Sequence, residues 1–409
     1  MTRPLRDVPA RADALLDALG PALDGTGPAL HVVTAPSSAT DRRVDDDVAL
    51  AVATSGSTGE PRTALLTARA LLASGRATER RLAGPGRWLL TLPVDHVAGL
   101  QVLVRSVLAG TRPVVAPDGP FTARGFVAAV ESFPGSSDDA LPRYTSLVPT
   151  QLHRVLDDAA ATAAARTFAA ILVGGAATSA PLLARAQAAG LRVVTTYGMT
   201  ETCGGCVYDG VPLDGVRVAL DDDDRVLLGG DVLLAGYLEP GADAVGSGPF
   251  VVHDGARYLR TSDLGRLDGG VLTVLGRADD VVVTGGVNVA PAAVEASLAR
   301  LPQVADALVV GVPDDEWGQA VAALVVLTPS SGGSDDRDVR ALVRAHVARN
   351  LGPAHAPRHV LVVDAVPLRG LGKPDRRAAR ALVVDRLARA AHGPAPSPAP
   401  ARPSTRSQP

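Results

Sequence analysis

The stretch Val48-Ala49-Leu50-Ala51-Val52-Ala53 leads directly into Thr54-Ser55-Gly56-Ser57-Thr58-Gly59-Glu60-Pro61-Arg62. The continuous apolar run predicts a short buried strand, and helical periodicity follows from Leu65 to Arg81. Between them lies a loop of small and hydroxylated residues. Such residues let backbone N–H groups approach phosphate oxygens, and the hydroxyls add donors. The loop lacks the G-x-x-x-x-G-K-[ST] spacing of a Walker loop. The sequence therefore predicts a strand, a phosphate-binding loop and a helix, with an ordinary flexible loop as the alternative.

Strands and helices are predicted to alternate beyond this stretch. The predicted strands are Trp88 to Leu92, Val114 to Ala116, Tyr144 to Val148, Ala170 to Val173 and Leu191 to Thr195. The predicted helices include Val97 to Ala109 and Gly125 to Ser132. This alternation indicates an α/β domain with a largely parallel sheet. Residues 1–47 are expected to alternate short helical patterns with polar turns.

The pattern changes near Asp214, where short strands separated by Gly and Asp predict a small β-subdomain at about 214–275. Its predicted strands are Val216 to Leu220, Arg225 to Leu228, Val232 to Leu234 and Val271 to Leu275. The acidic run Asp221 to Asp224 is interpreted as a hairpin turn, with a cation site as the alternative.

A compact α+β domain is predicted for residues 279–392. The pattern predicts a hairpin at Val281 to Val289, a helix opened by Pro291, strands at Ala307 to Val310, Val321 to Val326 and His359 to Val363, and a helix from Asp338 to Arg349. The Pro-, Ser- and Ala-rich tail, 393–409, is expected to be disordered. The large domain is then 1–278.

The bulk composition excludes several classes of protein. A chain of 409 residues is long enough for two or three domains. Hydrophobic residues at 46% and charged residues at 20% are typical of a globular protein. The net charge of −3 argues against general affinity for nucleic acid or an anionic membrane, and 3% aromatic residues argue against single-strand stacking platforms. With no apolar signal segment or membrane span in the pattern, a cytoplasmic location is expected.

Lys373 is the single lysine in the sequence, and it lies in the glycine-flanked loop Leu368-Arg369-Gly370-Leu371-Gly372-Lys373-Pro374. The other 39 of the 40 basic residues are arginine. A lysine kept in that background suggests a position that a planar guanidinium cannot fill. A compact ammonium on a flexible stem suits contact with one developing negative charge.

Three further segments carry candidate chemistry. Tyr197-Gly198-Met199-Thr200-Glu201-Thr202 follows a predicted strand, at the end where α/β sheets place ligands. It combines an aromatic ring for a base, hydroxyls for phosphate and a carboxylate for Mg²⁺. Asp263 could accept hydroxyl donors, although a lone Asp in a turn is usually a cap. The segment Gly276 to Asp279 lies where the two domain patterns meet, which suggests a hinge.

The order and spacing of these segments resemble the adenylate-forming enzymes, which include acyl-CoA synthetases, luciferases and nonribosomal-peptide adenylation domains. The resemblance runs from about Asp45 to Arg380. It implies a large N-terminal α/β domain, here N-terminally shortened, with a small β-subdomain and a mobile α+β C-terminal domain. It also implies the use of ATP, Mg²⁺ and CoA. Small-molecule substrates are the implied partners, and a homodimer stays open.

The resemblance assigns roles residue by residue. The segment Thr54, Ser55, Gly56, Ser57, Thr58, Gly59 and Arg62 corresponds to the pyrophosphate-binding loop. Gly174-Gly175-Ala176 and Tyr197, Gly198 and Thr200 correspond to the adenine and acyl-pocket segments. Glu201 corresponds to the Mg²⁺ ligand, Asp263 to the ribose-binding residue, Arg277 to the arginine that assists it, Asp279 to the hinge and Lys373 to the catalytic lysine. His96 is expected to line the acyl pocket or gate the CoA path, with a structural histidine as the alternative.

A narrower resemblance is to the o-succinylbenzoate–CoA ligases of menaquinone synthesis, in the actinobacterial short form. It rests on the segment from Arg143 to Leu152 and on the run from Gly198 to Gly215. For the second carboxylate of that substrate, Arg143, Thr145 and Ser146 are the candidate contacts. Arg62 departs from the family pattern, in which the loop ends in Pro-Lys-Gly. The alternatives are another acyl- or aryl-CoA ligase, an acyl-AMP ligase and an inactive nucleotide-binding homologue.

The two cysteines form Cys203-Gly204-Gly205-Cys206. A CxxC pair can be a redox couple or half of a zinc site. Because no second ligand pair lies nearby, and because the run matches the narrower resemblance, two unreactive thiols are expected.

Overall fold

The computed structural model describes residues 1–35, 42–54, 62–134, 141–238, 245–246, 248–328, 336–369 and 373–392. Its strands are β1 (Thr2–Pro9), β2 (Ala29–Val33), β3 (Arg43–Asp45), β4 (Val48–Thr54), β5 (Arg62–Thr67), β6 (Arg87–Leu90), β7 (Val114–Val115), β8 (Arg143–Leu147), β9 (Ala170–Val173), β10 (Val193–Met199), β11 (Gly204–Tyr208), β12 (Val211–Pro212), β13 (Val216–Leu220), β14 (Arg225–Gly230), β15 (Gly236–Leu238), β16 (Val245–Gly246), β17 (Phe250–His253), β18 (Ala256–Asp268), β19 (Val271–Arg277), β20 (Val282–Thr284), β21 (Val287–Val289), β22 (Val304–Asp314), β23 (Gly318–Leu327), β24 (His359–Val362), β25 (Leu368–Arg369) and β26 (Lys373–Pro374).

The helices are α1 (Ala12–Asp24), α2 (Ala68–Arg81), α3 (Val97–Leu108), α4 (Ala123–Glu131), α5 (Pro149–Leu156), α6 (Ala159–Ala165), α7 (Ala180–Ala188), α8 (Pro291–Leu298), α9 (Asp336–Leu351) and α10 (Arg376–His392). Short 3-10 turns lie at Thr200–Thr202, Ala278–Asp280 and Pro353–His355.

The chain divides into two compact units. The first comprises residues 1–280 together with Leu368–Pro374, and the second comprises 281–367 together with 375–409. The hairpin that contains Lys373 therefore belongs to the first unit. No helix among the described residues has the length and apolar character that a membrane crossing requires.

The first unit contains two large sheets with helices between them. One has the strand order β16-β15-β5-β4-β2-β1-β3 and the other β12-β11-β10-β9-β8-β6-β7. Buried residues from both sheets and from α1, α2 and α3 form one continuous core, for example Leu50, Leu15, Leu71, Leu103 and Trp88. The opposite face of the second sheet packs against α4 to α7 through a separate core around Phe126 and Phe168. The strands β6 to β10 pair in parallel, as the alternation predicted.

The first sheet corrects the prediction around the loop. Residues Arg62–Thr67 form strand β5, antiparallel to β4, and the helix begins only at Ala68. Thr67 explains this boundary, because its hydroxyl accepts a hydrogen bond from the Ala70 amide and caps the helix. The predicted start at Leu65 was wrong, since a run of buried residues satisfies strand and helix patterns equally well. The loop of residues 55–61 thus connects two antiparallel strands.

Two other local predictions were wrong. Residues 1–47 supply three strands, β1, β2 and β3, with one helix, and β1 pairs in parallel with β2. Val232 to Leu234 is a turn rather than a strand, and the Leu234 amide donates to the Glu201 carbonyl oxygen over 2.9 Å.

A smaller sheet of β13, β14, β18, β17 and β19 completes the first unit and corresponds to the predicted β-subdomain. The acidic run forms its first hairpin turn. Asp221 accepts hydrogen bonds from the amides of Asp223 and Arg225, and its carboxylate pairs with Arg260. No group of three or more metal-binding side chains occurs in the described part of the chain.

The second unit is an α+β domain, but it lacks the hairpin Leu368–Pro374 with Lys373, which the predicted range 279–392 includes. Strands β22 and β23 form a long antiparallel pair. On the side of β23 away from β22, β24 adds in parallel and the hairpin β20–β21 joins in antiparallel orientation. Helices α8 and α9 contribute to one core with the sheet, and α10 contributes to another. The predicted hairpin and the helix opened by Pro291 are confirmed.

Candidate active site

Tyr197 and Asp263 are joined directly. Tyr197 lies near the carboxyl end of β10 and Asp263 in the middle of β18, and the phenol donates a hydrogen bond to Oδ2 of Asp263 over 2.7 Å. Burial, reinforced by the neighbouring Asp263 carboxylate, raises the pKa of Tyr197 well above its usual range. The phenol therefore stays protonated and acts as a permanent donor to Asp263.

Arg277 lies on the other side of Asp263. The two residues are cross-strand partners in the β18–β19 ladder, and Nη1 of Arg277 is 3.6 Å from Oδ1 of Asp263. The same guanidinium donates to Asp279 over 2.8 Å. The Thr261 hydroxyl accepts from the amide of Asp263 and fixes its backbone. One oxygen of Asp263 thus faces a phenol and the other a cation.

Lys373 lies close enough to Glu201, Asp263 and Arg277 for their charges to act on its pKa. The Lys373 side chain is exposed, yet partial desolvation by the surrounding protein lowers its pKa, and the nearby Arg369 and Arg277 lower it further, while the carboxylates of Glu201 and Asp263 act in the opposite direction. The predicted catalytic lysine, the predicted metal ligand, the predicted ribose ligand and Arg277 all lie in the first unit, and the charges of the last three act on Lys373.

Glu201 is held by a residue that the sequence did not single out. The Tyr237 hydroxyl donates to Oε1 of Glu201 over 2.8 Å. The guanidinium of Arg62 lies over the Tyr237 ring, with its central carbon 3.5 Å from the ring centroid. Tyr237 was missed because it lies in a three-residue strand with no spacing signal. Tyr237 lies beside Arg62 because β15 pairs with β5, which places Tyr237 opposite Ala64.

The predicted phosphate loop is only partly described. Ser55, Gly56, Ser57, Thr58 and Gly59 lie outside the described residues. Thr54 and Arg62, which border the loop, face each other as the last pair of the β4–β5 ladder. The two residues that border the loop are therefore adjacent across the β4–β5 ladder.

Two glycines permit close backbone approach beside Tyr197. A Cβ at Gly174 would lie 2.2 Å from the Thr196 hydroxyl oxygen, and a Cβ at Gly198 would lie 2.1 Å from the Gly204 carbonyl oxygen. Both distances are far below van der Waals contact, so each position requires glycine. Gly174, Gly175 and Ala176 follow β9 directly, at the carboxyl edge of the parallel strands. Thr200 and Glu201 form the short turn that follows β10.

His96 lies next to a helix, and the three candidate substrate contacts lie on β8 of the second sheet. His96 is the residue before α3, and its Nε2 is 3.9 Å from Oδ1 of Asp95. Arg143 begins β8, at the amino end, and its guanidinium lies over the Phe133 ring. Thr145 is fully buried and donates its hydroxyl to the Leu89 carbonyl oxygen. Ser146 lies closest of the three to the carboxyl end of β8.

The cysteines are free and fully buried. Burial raises the pKa of the Cys206 thiol to about 12 and raises that of Cys203 as well. A thiol held protonated in this way is neither a nucleophile nor a metal ligand at neutral pH.

The residues present fit Mg²⁺ that arrives with a nucleotide, and they do not form a complete cage of protein ligands. Mg²⁺ is usually held by one or two carboxylates together with substrate phosphates. Oε2 of Glu201 accepts no hydrogen bond from any residue within the described ranges, while Oε1 is fixed by Tyr237. One carboxylate oxygen is thus oriented by the protein and the other is available to a cation.

The chain belongs to the AMP-binding enzymes. The model of that family matches residues 8–232, and the model of the AMP-binding enzyme C-terminal domain matches residues 293–373, ending at Lys373. The chain is an AMP-forming acid–thiol ligase of this family.

Individual relatives of this chain are CoA ligases for particular acids. The chain is 47% identical over 374 residues to a probable 2-succinylbenzoate–CoA ligase from Mycobacterium tuberculosis, which covers 89% of this chain and 94% of the relative. It is 30% identical to a medium/long-chain-fatty-acid–CoA ligase of the same species, over 88% of this chain and 65% of the relative. Among solved structures, the o-succinylbenzoate CoA synthetase from Bacillus subtilis, in complex with its acyl-adenylate intermediate, superposes with a TM-score of 0.67 at 23% identity, covering 92% of this chain and 88% of that one. This superposition supports the fold.

Proposed function

We propose that this chain ligates 2-succinylbenzoate to CoA with ATP, as a step of menaquinone biosynthesis. In the first half-reaction the substrate carboxylate attacks the α-phosphate of ATP, giving acyl-AMP and pyrophosphate. In the second, the CoA thiol attacks the acyl carbonyl and releases AMP. The observation that carries the adenylation chemistry is the position of Lys373 within the field of Glu201 and Asp263. The 47% identity to the mycobacterial ligase supports the choice of acid.

Lys373 is proposed to stabilise the charge that develops in adenylation. Its ammonium would contact the α-phosphoryl oxygens and the attacking carboxylate. Phosphoryl transfer needs mainly positioning and well-placed positive charge, so one ammonium at this centre contributes strongly to the rate.

Glu201 is proposed to hold Mg²⁺ together with the nucleotide. Bound there, the cation would neutralise negative charge on the phosphates. Ser55, Ser57, Thr58 and Arg62 are proposed to hold the β- and γ-phosphates from the loop.

Tyr197 and Asp263 are proposed to bind the nucleoside. The Tyr197 ring would pack against the base, and Asp263 would accept the ribose hydroxyls with Arg277 beside it. The segment Gly174 to Ala176 would border the adenine. The hydrogen bond between Tyr197 and Asp263 supports this grouping, because it orients the carboxylate together with Arg277 on the other side.

The second half-reaction is proposed to need a pivot at Asp279, which would withdraw Lys373 and admit the CoA thiol. His96 would line the acyl pocket or gate the CoA path. Of the candidate contacts for the second carboxylate, Ser146 is the strongest by position, because ligands bind at the carboxyl ends of parallel strands. Arg143 begins its strand at the opposite end, and the Thr145 hydroxyl is already used by Leu89. We place the protein in the cytoplasm, with a homodimer as an open alternative.

Pyrophosphate release with 2-succinylbenzoate, measured with and without CoA, tests this function. We expect release with ATP and the acid, and 2-succinylbenzoyl-CoA only when CoA is added. Release with fatty acids but not with 2-succinylbenzoate would favour the substrate class of the second relative. Acyl-AMP that never passes to CoA would indicate an acyl-AMP ligase, and no release with any acid would indicate an inactive homologue.

A further inference from the structure

Arg62, Tyr237 and Glu201 form a continuous chain of contacts from strands β5 and β15 of the first sheet to the turn after β10. Arg62 begins β5, and Tyr237 in β15 pairs with Ala64, two residues further along β5. Residues two apart on one strand share a face, so Arg62 and Tyr237 are diagonal neighbours on the same face of the sheet. The guanidinium covers the ring at 3.5 Å, and the phenol reaches Glu201 at 2.8 Å.

The segments that carry these residues are also fixed by backbone contacts. The Leu234 amide donates to the Glu201 carbonyl oxygen, and the Ala235 amide donates to the Leu65 carbonyl oxygen, both over 2.9 Å. Tyr237 is 4% exposed. A buried side chain on a backbone tied from both sides has little freedom, so it can impose one orientation on the carboxylate that it contacts.

We propose that Tyr237 is a positioning residue for Glu201, and that Arg62 acts on Glu201 through Tyr237. The inference rests on the proposed function in one respect, namely that Glu201 holds the divalent cation that accompanies ATP. The phenol occupies Oε1 and directs Oε2 to the cation. The stacked Arg62 holds the ring in place and joins the end of the phosphate loop to the metal ligand.

The chemistry of each group suits this role. A phenol is a neutral donor, so it orients a carboxylate without cancelling the charge that attracts a cation. Burial and the Glu201 carboxylate raise the pKa of Tyr237, so the donor stays protonated across the working range of pH. A guanidinium is planar and stacks on an aromatic face, whereas an ammonium does not stack. The stacking gives a physical reason for arginine at a position where the family pattern has lysine.

The test measures cation binding rather than turnover. Mn²⁺ replaces Mg²⁺ as a probe visible by electron paramagnetic resonance, and α,β-methylene-ATP is the nucleotide because the bond broken in adenylation cannot be cleaved in it. We expect Tyr237→Phe to bind Mn²⁺ about 10-fold more weakly than the unmodified protein in the presence of the analogue, as is usual when a group that orients a metal ligand is removed. Binding of the analogue in EDTA should be unchanged.

Tyr258→Phe is the matched control. Tyr258 is also buried in a strand and also has an arginine over its ring, Arg217 at 5.6 Å, but it has no contact with Glu201. This variant should bind Mn²⁺ as the unmodified protein does. Equal Mn²⁺ affinity for Tyr237→Phe and Tyr258→Phe would overturn the proposal.

Arg62→Lys is the second test variant if Tyr237→Phe folds poorly. The Arg62 side chain is exposed and the substitution keeps its charge, so this variant should fold. We expect about 3-fold weaker Mn²⁺ binding, because an ammonium cannot reproduce the planar stacking of a guanidinium and the exposed contact with the ring is weakened. Arg257→Lys, which breaks a stacking on Phe250 at the same 3.5 Å distance, should have no effect. An Arg62→Lys protein with unchanged Mn²⁺ affinity would contradict the role of Arg62.

The measurements distinguish a failure of this proposal from a failure of the proposed function. Neither acid nor CoA is present, so a wrong assignment of the acid leaves the result intact. If the unmodified protein binds the analogue but no Mn²⁺, Glu201 does not hold the cation, and both the proposed role of Glu201 and this inference fail.

Discussion

The Tyr197 phenol and the Asp263 carboxylate are held 2.7 Å apart by two strands from different sheets, β10 and β18. The same carboxylate faces Arg277 through its other oxygen. Asp263 is thus fixed from two sides by the protein itself. Preorganisation of this kind reduces the entropy lost when a ligand binds.

Tyr197→Phe should raise the KM for ATP by about 10-fold in pyrophosphate release, because a hydrogen bond to a charged group contributes about 1.5–3 kcal/mol. The kcat should change much less, since the phenol does not touch the reacting phosphate. Tyr258→Phe serves as the control. An unchanged KM for ATP would show that the hydrogen bond does not orient Asp263 for the nucleotide.

Lys373→Ala should slow adenylation by at least about 100-fold, comparable to removing one donor that stabilises developing charge. Thioester formation from supplied acyl-AMP and CoA should be largely retained. Lys373→Arg should also be defective in adenylation, because the planar fork does not replace a compact ammonium. Normal adenylation by Lys373→Ala would refute the assigned role.

The rate of adenylation should already fall with rising pH at pH values below 10.5, which is the ordinary pKa of a lysine. Partial desolvation by the surrounding protein, together with the charges of Arg369 and Arg277, lowers the pKa of Lys373, so the ammonium loses its proton at a lower pH than an isolated lysine. The charged form is the active form, and activity therefore falls as pH rises through this lowered pKa. Exchange of labelled pyrophosphate into ATP across the alkaline range measures it. A rate that stays flat up to pH 10.5 would contradict the prediction.

The two cysteines should not react with thiol reagents in the native protein. Both are fully buried, and burial raises the pKa of each thiol. Iodoacetamide at pH 8 should label neither residue until the chain is unfolded in urea, when both should react, as mass spectrometry can measure. Rapid labelling of the folded chain would instead favour a redox or metal-binding role.

Arg3→Ala should destabilise the first unit by about 2–4 kcal/mol, since it leaves buried carbonyl oxygens without their charged donor. Arg3 is 7% exposed and donates to the carbonyl oxygens of Val48 and Ala22 over 2.7 and 2.9 Å. Arg6→Ala is the control, because Arg6 lies on the same strand with an exposed side chain. Urea unfolding measures both, and equal midpoints would contradict the prediction.

Local patterns in the sequence determined the class of fold, and the resemblance to the adenylate-forming enzymes supplied the roles of most candidate residues. Alternating apolar runs and helical periodicities identified the parallel strands β6 to β10. Of these, β6 and β9 are mostly buried and are therefore continuous apolar runs in the sequence. The single lysine marked Lys373 in the same way, since it stands out in a background of arginine without any knowledge of its neighbours.

The tertiary structure decided which strands pair and which distant side chains contact each other. The sequence could not show that Arg62–Thr67 is a strand, because its apolar residues fit two periodicities and only pairing with β4 selects one. Nor could it show Tyr237 beside Glu201, which lies 36 residues away along the chain. Hydrogen bonds between distant segments depend on the register of strands across a sheet, and register is a property of the folded chain.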